Sequence, residues 1–315
     1  MLLRRVSPLT NQFRYKTDLL SLSKGISSEQ GRFDSACRRA RNAGISVELY
    51  KRQRQCKLPE MQGEEILFGT HPVFEALQAS RRRIHCVYSK DSLKLRPEFK
   101  EMCFKREIPI KTLKDKQMDQ LTEFQLHNGI CADVSVLLPQ QFSPEMLSAD
   151  DKTAAYLFLD GVLDPRNIGS MIRSALFFGI NGVIWSKGPK RVTASMSKAS
   201  SGALEHFPVY SVDSFTSLHK LLKPHGFSFY GTIDEDSARE KGIEFDQLSN
   251  CQMASKVVFV LGEEQRGISN DLLDLELCDS FLTIPRSARY STDCVNSLNV
   301  SVATGLILHS WRSKI

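Results

Sequence analysis

The sequence has no apolar run near the roughly 20 residues that a bilayer requires, which excludes a spanning helix. Its eight cysteines form no C-x-x-C pair and no Cys/His spacing suited to zinc, so no metal site is expected. No secretory signal is present either, and reduced thiols in an intracellular compartment are the default. Nucleotide fingerprints are also missing. Gly262 and Gly267 stand in G-x-x-x-x-G spacing, but Ile268-Ser269 occupies the place of the required Lys-Ser/Thr, which rejects a triphosphate loop. No strand is followed by G-x-G-x-x-G, so a dinucleotide-dependent oxidoreductase is a distant reading.

Charge is present but badly distributed. The 315 residues carry a formal +6, yet residues 1–60 hold 13 Lys/Arg against 5 Asp/Glu, and the remainder is slightly acidic. Overall basicity is therefore no argument for a nucleic-acid-binding body, and such evidence must come from particular sites. Residues 1–17, MLLRRVSPLTNQFRYKT, contain Arg4, Arg5, Arg14 and Lys16, no acid, and apolar residues near helical spacing. That is the composition of a mitochondrial transit peptide, with a basic extension to about residue 60. The rival reading is a basic arm that touches RNA phosphates in the mature protein.

From Glu64 the patterning becomes regular. Strands are predicted at 66–69, 83–90, 109–113 and 129–138. Helices are predicted at 70–80 (capped by Thr70, with Pro72 in the first turn), 95–107 and around 115–124. This alternation over 64–138 implies a small α/β sandwich. Arg81, Arg82 and Arg83 form a basic triplet at a helix-to-strand junction, either a phosphate contact or a solvated loop. The polar, Pro-containing stretch 139–152 reads as a linker.

Residues 153–315 carry continuous apolar strands at 154–161, 182–186, 206–212, 227–232, 256–262 and 280–284. Helices are predicted at 168–178, 195–204, 214–224, 270–277 and 297–311. Such strands imply a mostly parallel sheet covered on both faces, with ligands bound beyond the strand carboxyl ends. Three polar segments fall there. The first, DGVLDPRNIGSMIRSA, offers Arg166, Asn167 as an N-cap or site residue, and Arg173. On a regular helix Asn167 and Arg173 lie roughly 120° apart, so their spacing does not bring them together. In the second, VLGEEQRGI, Gly262 and Gly267 permit tight curvature at a strand end. The third runs from Ile284-Pro285 to SLNVSVATG, where Ser297 is a candidate cap. Asn299 is the anomaly, polar in the first turn of an apolar helix.

Together and in this order, DPRNIGSMIRSA, FVLGEEQRGI and IP…SLNVSVATGLIL resemble the three motifs of the SpoU-type RNA 2′-O-ribose methyltransferases of the SPOUT superfamily. ILFGTHPVFEAL and NGICADV resemble the family's amino-terminal substrate-binding domain, of ribosomal protein L30e type. With the transit-like start, the nearest branch is the mitochondrial large-subunit rRNA guanosine-2′-O-methyltransferases. The resemblance implies an α/β knotted methyltransferase domain at 153–315, a deep trefoil knot, a homodimer that builds the active sites, and bound S-adenosylmethionine. The stretch between Pro285 and Ser297 is longer than in many bacterial relatives.

By the same resemblance, Asn167, Arg173, Glu264 and Asn299 form the catalytic set. Thr232, Leu261, Gly262, Ile284, Ser297 and Leu298 contact the cofactor, and Arg81, Arg82, Arg83 and Arg166 are RNA contacts. Arg173 serves better as a phosphate clamp than as a base, because a guanidinium does not readily deprotonate. Glu264 is a base candidate, with loop support as its equal rival. The expected reaction is S-adenosylmethionine-dependent 2′-O-methylation of a guanosine in the peptidyl-transferase region of large-subunit rRNA, in the mitochondrial matrix. A tRNA or non-mitochondrial rRNA substrate, and an inactive RNA-binding assembly factor on the same fold, are the alternatives.

Overall fold

Residues 56–147, 152–264, 266–273, 276–287 and 297–315 are described by the computed structural model. The targeting segment 1–17, the basic extension to residue 55, the centre of the linker and most of the 286–296 loop lie outside these residues. Lys57–Ile315 form one compact unit.

Its first part is a four-stranded sheet in the order β1-β4-β2-β3, from β1 (Glu65–Phe68), β2 (Ile84–Ser89), β3 (Ile110–Thr112) and β4 (Ile130–Val134). The helices α1 (Thr70–Ala79), α2 (Pro97–Lys105) and α3 (Asp115–Leu121) complete it. The core gathers Leu67, Val73, Leu77, Val87, Tyr88 and Met118. Thr70 is not the cap of α1. Gly69 holds that position with φ 100°, a conformation that suits glycine, and no side chain caps the helix.

The second part is an eight-stranded, wholly parallel sheet, β10-β12-β9-β11-β6-β7-β8-β5. The strands are β5 (Gln140–Gln141), β6 (Ala154–Asp160), β7 (Gly182–Trp185), β8 (Val209–Ser211), β9 (Ser228–Thr232), β10 (Asp246–Gln247), β11 (Lys256–Gly262) and β12 (Ser280–Thr283). In β6, Ala155, Leu157 and Leu159 enter one core, while Ala154, Tyr156 and Phe158 enter the core on the opposite face. Both faces being dry explains why β6 and β11 read as unbroken apolar runs instead of alternating ones. Helices α4 (Pro165–Phe178), α5 (Ala194–Ala199), α6 (Phe215–Leu222), α7 (Glu235–Lys241), α8 (Asn270–Leu273) and α9 (Val300–Lys314) accompany the sheet.

Two expectations change here. The 139–152 stretch is not wholly a linker, since β5 pairs with β8 and Phe142 is buried. Helix α7 escaped the sequence reading because it is short and polar, with Ala238 as its buried residue and Asp234 as its cap.

The strand order positions the site. From β6 the chain moves outward through β7 and β8, then crosses to β9 and returns to insert β11 beside β6. The order therefore reverses between β6 and β11, where the loops leaving adjacent strands diverge and open a crevice. Asp160 and Gly262 end these two strands in direct register.

Candidate active site

The β6 loop leads into α4. Asp164 caps that helix by accepting from the Arg166 backbone N–H at 2.7 Å, and Pro165 fills the first turn. Asn167 is therefore not the cap. It sits inside the first turn with its amide free to face the crevice. The Arg166 guanidinium folds back on Asp164 at 3.1 Å and holds that carboxyl below its ordinary value, against an opposing effect of partial burial.

The β11 loop turns back on itself. Glu263 and Gly267 exchange backbone hydrogen bonds of 3.1 and 2.8 Å. Gly267 takes φ 66°, whereas Gly262 is required for contact: a Cβ there would lie 2.1 Å from the Gly267 carbonyl carbon and 2.3 Å from the Ile268 nitrogen. The Asp160 carboxylate accepts from the Ser269 N–H at 2.7 Å, tying this loop to the end of β6. Glu264 is thereby projected at the crevice.

The third segment enters α9. Asn299, not Ser297, caps the helix, its Oδ1 accepting from the Ser301 N–H at 3.0 Å. With its oxygen committed to the helix, its amide nitrogen is aimed outward. That nitrogen donates to Asn167 Oδ1 at 3.1 Å and to Glu264 Oε1, while Asn167 Nδ2 donates to Glu264 Oε2 at 3.3 Å. Three polar side chains from three distant segments thus close a ring across the switch point. The capping role also accounts for a polar residue at the head of an apolar helix.

Arg173 lies outside this ring. It is exposed, two turns into α4, and donates to Ser201 Oγ at 2.9 Å. The helical offset between positions 167 and 173 is consistent with this separation.

The remaining expected residues are placed as follows. Thr232, at the end of β9, donates its hydroxyl to the Val260 carbonyl at 3.0 Å, and Leu261 turns its side chain into the core. Ile284 follows β12 and is partly buried, while Ser297 and Leu298 are exposed before α9. Beside Ile284, the Thr283 hydroxyl is buried and has no hydrogen-bond partner among the described residues. An orphaned hydroxyl of this kind calls for a partner.

The arginine triplet divides. Arg82 is corrected: its guanidinium is fully buried between Glu65 and Glu205, the latter at 2.8 Å, and is not presented to a phosphate. Arg81 is half-buried and donates to the carbonyls of Leu204, Glu205 and Phe207, so it too braces the fold. Arg83 is exposed. A cation that the sequence reading missed is Lys198. It lies beside Arg166, Ser170, Ser195, Phe68 and Gln125 in a cavity of about 600 Å³ between the two sheets' domains. Burial lowers its pKa, and its ammonium nitrogen lies 2.6 Å from where a Cβ on Gly69 would stand. No group of three or more metal-ligating side chains and no helix long and apolar enough to cross a membrane occurs among the described residues.

Comparison with known proteins agrees with this architecture. Residues 154–309 match the SpoU rRNA Methylase family, and residues 66–138 match the RNA 2′-O ribose methyltransferase substrate-binding family. The chain is 35% identical over 257 residues to rRNA methyltransferase 1, mitochondrial, of Homo sapiens, covering 78% of this chain and 72% of that protein. It is 30% identical to the Schizosaccharomyces pombe protein of the same name, covering 78% and 89%. It is likewise 30% identical to the 23S rRNA (guanosine-2′-O-)-methyltransferase RlmB of Shewanella oneidensis, covering 79% and 96%. In fold, it is similar to the SpoU methyltransferase AviRb of Streptomyces viridochromogenes in complex with AdoMet. The TM-score is 0.61 at 19% identity, over 92% of this chain and 98% of that one.

Proposed function

The chain belongs to the SpoU rRNA methylase family, and we propose that it methylates the ribose 2′-hydroxyl of a guanosine in the peptidyl-transferase region of mitochondrial large-subunit rRNA. The observation that carries this reading is the ring of Asn167, Glu264 and Asn299 at the β6/β11 crevice. The names of the human, fission-yeast and Shewanella relatives support the substrate class, and the acid-free N-terminus supports the mitochondrial matrix.

S-adenosylmethionine supplies the methyl group when bound. The residues around the crevice fit it. Ile284 and the 44%-exposed Leu298 offer apolar surface, and Leu261, Gly262 and Thr232 stand at the carboxyl ends of β11 and β9, where such sheets bind ligands. Ser297 lies within the same entry to α9. The resemblance that assigns the cofactor to these loops also implies a trefoil knot in the C-terminal domain.

Transfer to a hydroxyl requires an in-line approach and removal of one proton, and positioning supplies much of the acceleration. Both Glu264 oxygens accept from amides of the ring, so we assign Glu264 to holding the motif loops in register. Arg173 carries a planar fork suited to a phosphate beside the target sugar, and polarises the hydroxyl from there. Arg166 and Arg83 remain surface cations able to meet RNA.

A homodimer accounts for apolar surface on α4 and α9. Phe177 is 82% exposed, and Leu176, Val302 and Leu306 are also uncovered on these two packed helices. Sedimentation of the purified chain should give twice the monomer mass. The substrate is tested by mapping ribose methylation in mitochondrial rRNA after depletion of the protein. One guanosine should lose its methyl group, and an unchanged map would overturn the substrate assignment.

A further inference from the structure

We propose that Ser201 is a positioning residue for Arg173, and that docking of the substrate-binding domain sets its position. The inference rests on the reading of Arg173 as a substrate-contacting group. Ser201 Oγ accepts from Arg173 Nη1 at 2.9 Å, which fixes one edge of an otherwise exposed guanidinium. Ser201 achieves this from φ 55°, the left-handed region that L-residues avoid, followed by Gly202 at φ 86°. Such a conformation persists where surrounding contacts over-determine it.

Those contacts come from both domains. Within the methyltransferase domain, Ser201 N donates to the Lys198 carbonyl at 3.1 Å, and Gly202 N donates to the Ser197 carbonyl at 2.8 Å. Ser197 Oγ donates to Glu205 Oε1 at 2.7 Å, and Glu205 pairs with Arg82 at 2.8 Å, both wholly buried. From the substrate-binding domain, α1 presses on the turn itself. A Cβ on Gly202 would lie 2.5 Å from Glu75 Cγ and 3.0 Å from the His71 carbonyl oxygen. His206 meets Glu75 at 2.9 Å, and Arg81 grips the carbonyls that follow. Glu65 Oε1 accepts from the Ala194 N–H at 2.7 Å, fixing the start of α5 as well.

The strained turn that holds Arg173 is thus built against the domain that the family assigns to substrate. A buried ion pair adds little net stability over apolar packing but defines a geometry. Here it gives the bound RNA and the arginine a common rigid frame.

The test uses the full chain with S-adenosylmethionine and a large-subunit rRNA transcript. Ser201→Ala should lower kcat about tenfold, the scale of one lost hydrogen bond to a charged group. Its melting temperature and S-adenosylmethionine affinity should match the wild type. Ser201→Asn, which tolerates the left-handed region and retains an acceptor oxygen, should recover most of that loss. Gly202→Ala, which pushes the turn off α1, should lower kcat at least as far as Ser201→Ala. A Ser201→Ala enzyme within twofold of wild type, beside an inactive Arg173→Ala, would overturn the proposal while sparing the role of Arg173. Near-normal activity of Arg173→Ala would remove both.

Discussion

Substituting Gly262 by alanine inserts one methyl group where the backbone has already closed. The added carbon would meet the Gly267 carbonyl carbon at 2.1 Å, its oxygen at 2.3 Å and the Ile268 nitrogen at 2.3 Å. All three are backbone atoms, so no rotamer change relieves the contact and the 263–267 loop must move. That movement breaks the two hydrogen bonds between Glu263 and Gly267, worth about 1 kcal/mol each. Overpacking adds roughly 1–3 kcal/mol. The expected destabilisation is about 3–5 kcal/mol, or roughly 6–20 °C in Tm for a unit of this size. Gly267→Ala is the internal control. Nothing lies within 4 Å of its added Cβ, and it is penalised through its φ of 66° alone, about 1–2 kcal/mol. Urea unfolding gives the stabilities, and calorimetry gives S-adenosylmethionine uptake. Gly262→Ala should lose uptake along with stability, because Glu264 moves with the loop. A Gly262→Ala protein within 0.5 kcal/mol of wild type, or no less stable than Gly267→Ala, would refute this reasoning.

Arg173→Lys should reduce methylation by a factor of about 10² or more, while calorimetric affinity for S-adenosylmethionine stays within about twofold, because an ammonium cannot grip Ser201 and a phosphate as a fork. Glu205→Ala should cost about 3–5 kcal/mol in urea unfolding, since it strands the fully buried Arg82 guanidinium beside Glu65. Asp164→Ala should cost about 1 kcal/mol at pH 7 by uncapping α4. Because the folded Asp164 pKa is depressed, chiefly by the Arg166 guanidinium, its contribution is complete above the unfolded value of about 3.9 and fades as pH falls through the lower folded value. Urea titrations of wild type and variant should therefore converge only in acid.

Much of the architecture was legible because burial on both sheet faces leaves a plain mark. β6 and β11 are unbroken apolar runs, and β11 begins and ends where it was expected. Short polar elements left no such mark, so α7 and β5 went unread. Helix starts were harder, because several polar residues stand near each one. Asp164 rather than Asn167 caps α4, and Asn299 rather than Ser297 caps α9, which only tertiary placement decides. Arg82 is the clearest misreading. Three consecutive arginines look like a solvated or RNA-facing run, and the sequence cannot announce that Glu65 and Glu205 enclose the middle one. Ser201 and Lys198 gave no signal at all, since their importance arises from packing between residues far apart in the chain.

The central claim is that the Asn167–Glu264–Asn299 ring, with Arg173 further along the helix that carries Asn167, organises methyl transfer to a ribose oxygen. It is tested most directly by supplying purified wild-type and Asn299→Ala proteins with isotopically labelled S-adenosylmethionine and a mitochondrial large-subunit rRNA transcript. Nucleoside analysis should find label on the 2′-oxygen of a guanosine with the wild type, and label reduced by about 10² or more with the variant, whose amide no longer joins the three loops. Label on a base, no label at all, or undiminished ribose labelling by Asn299→Ala would contradict the account.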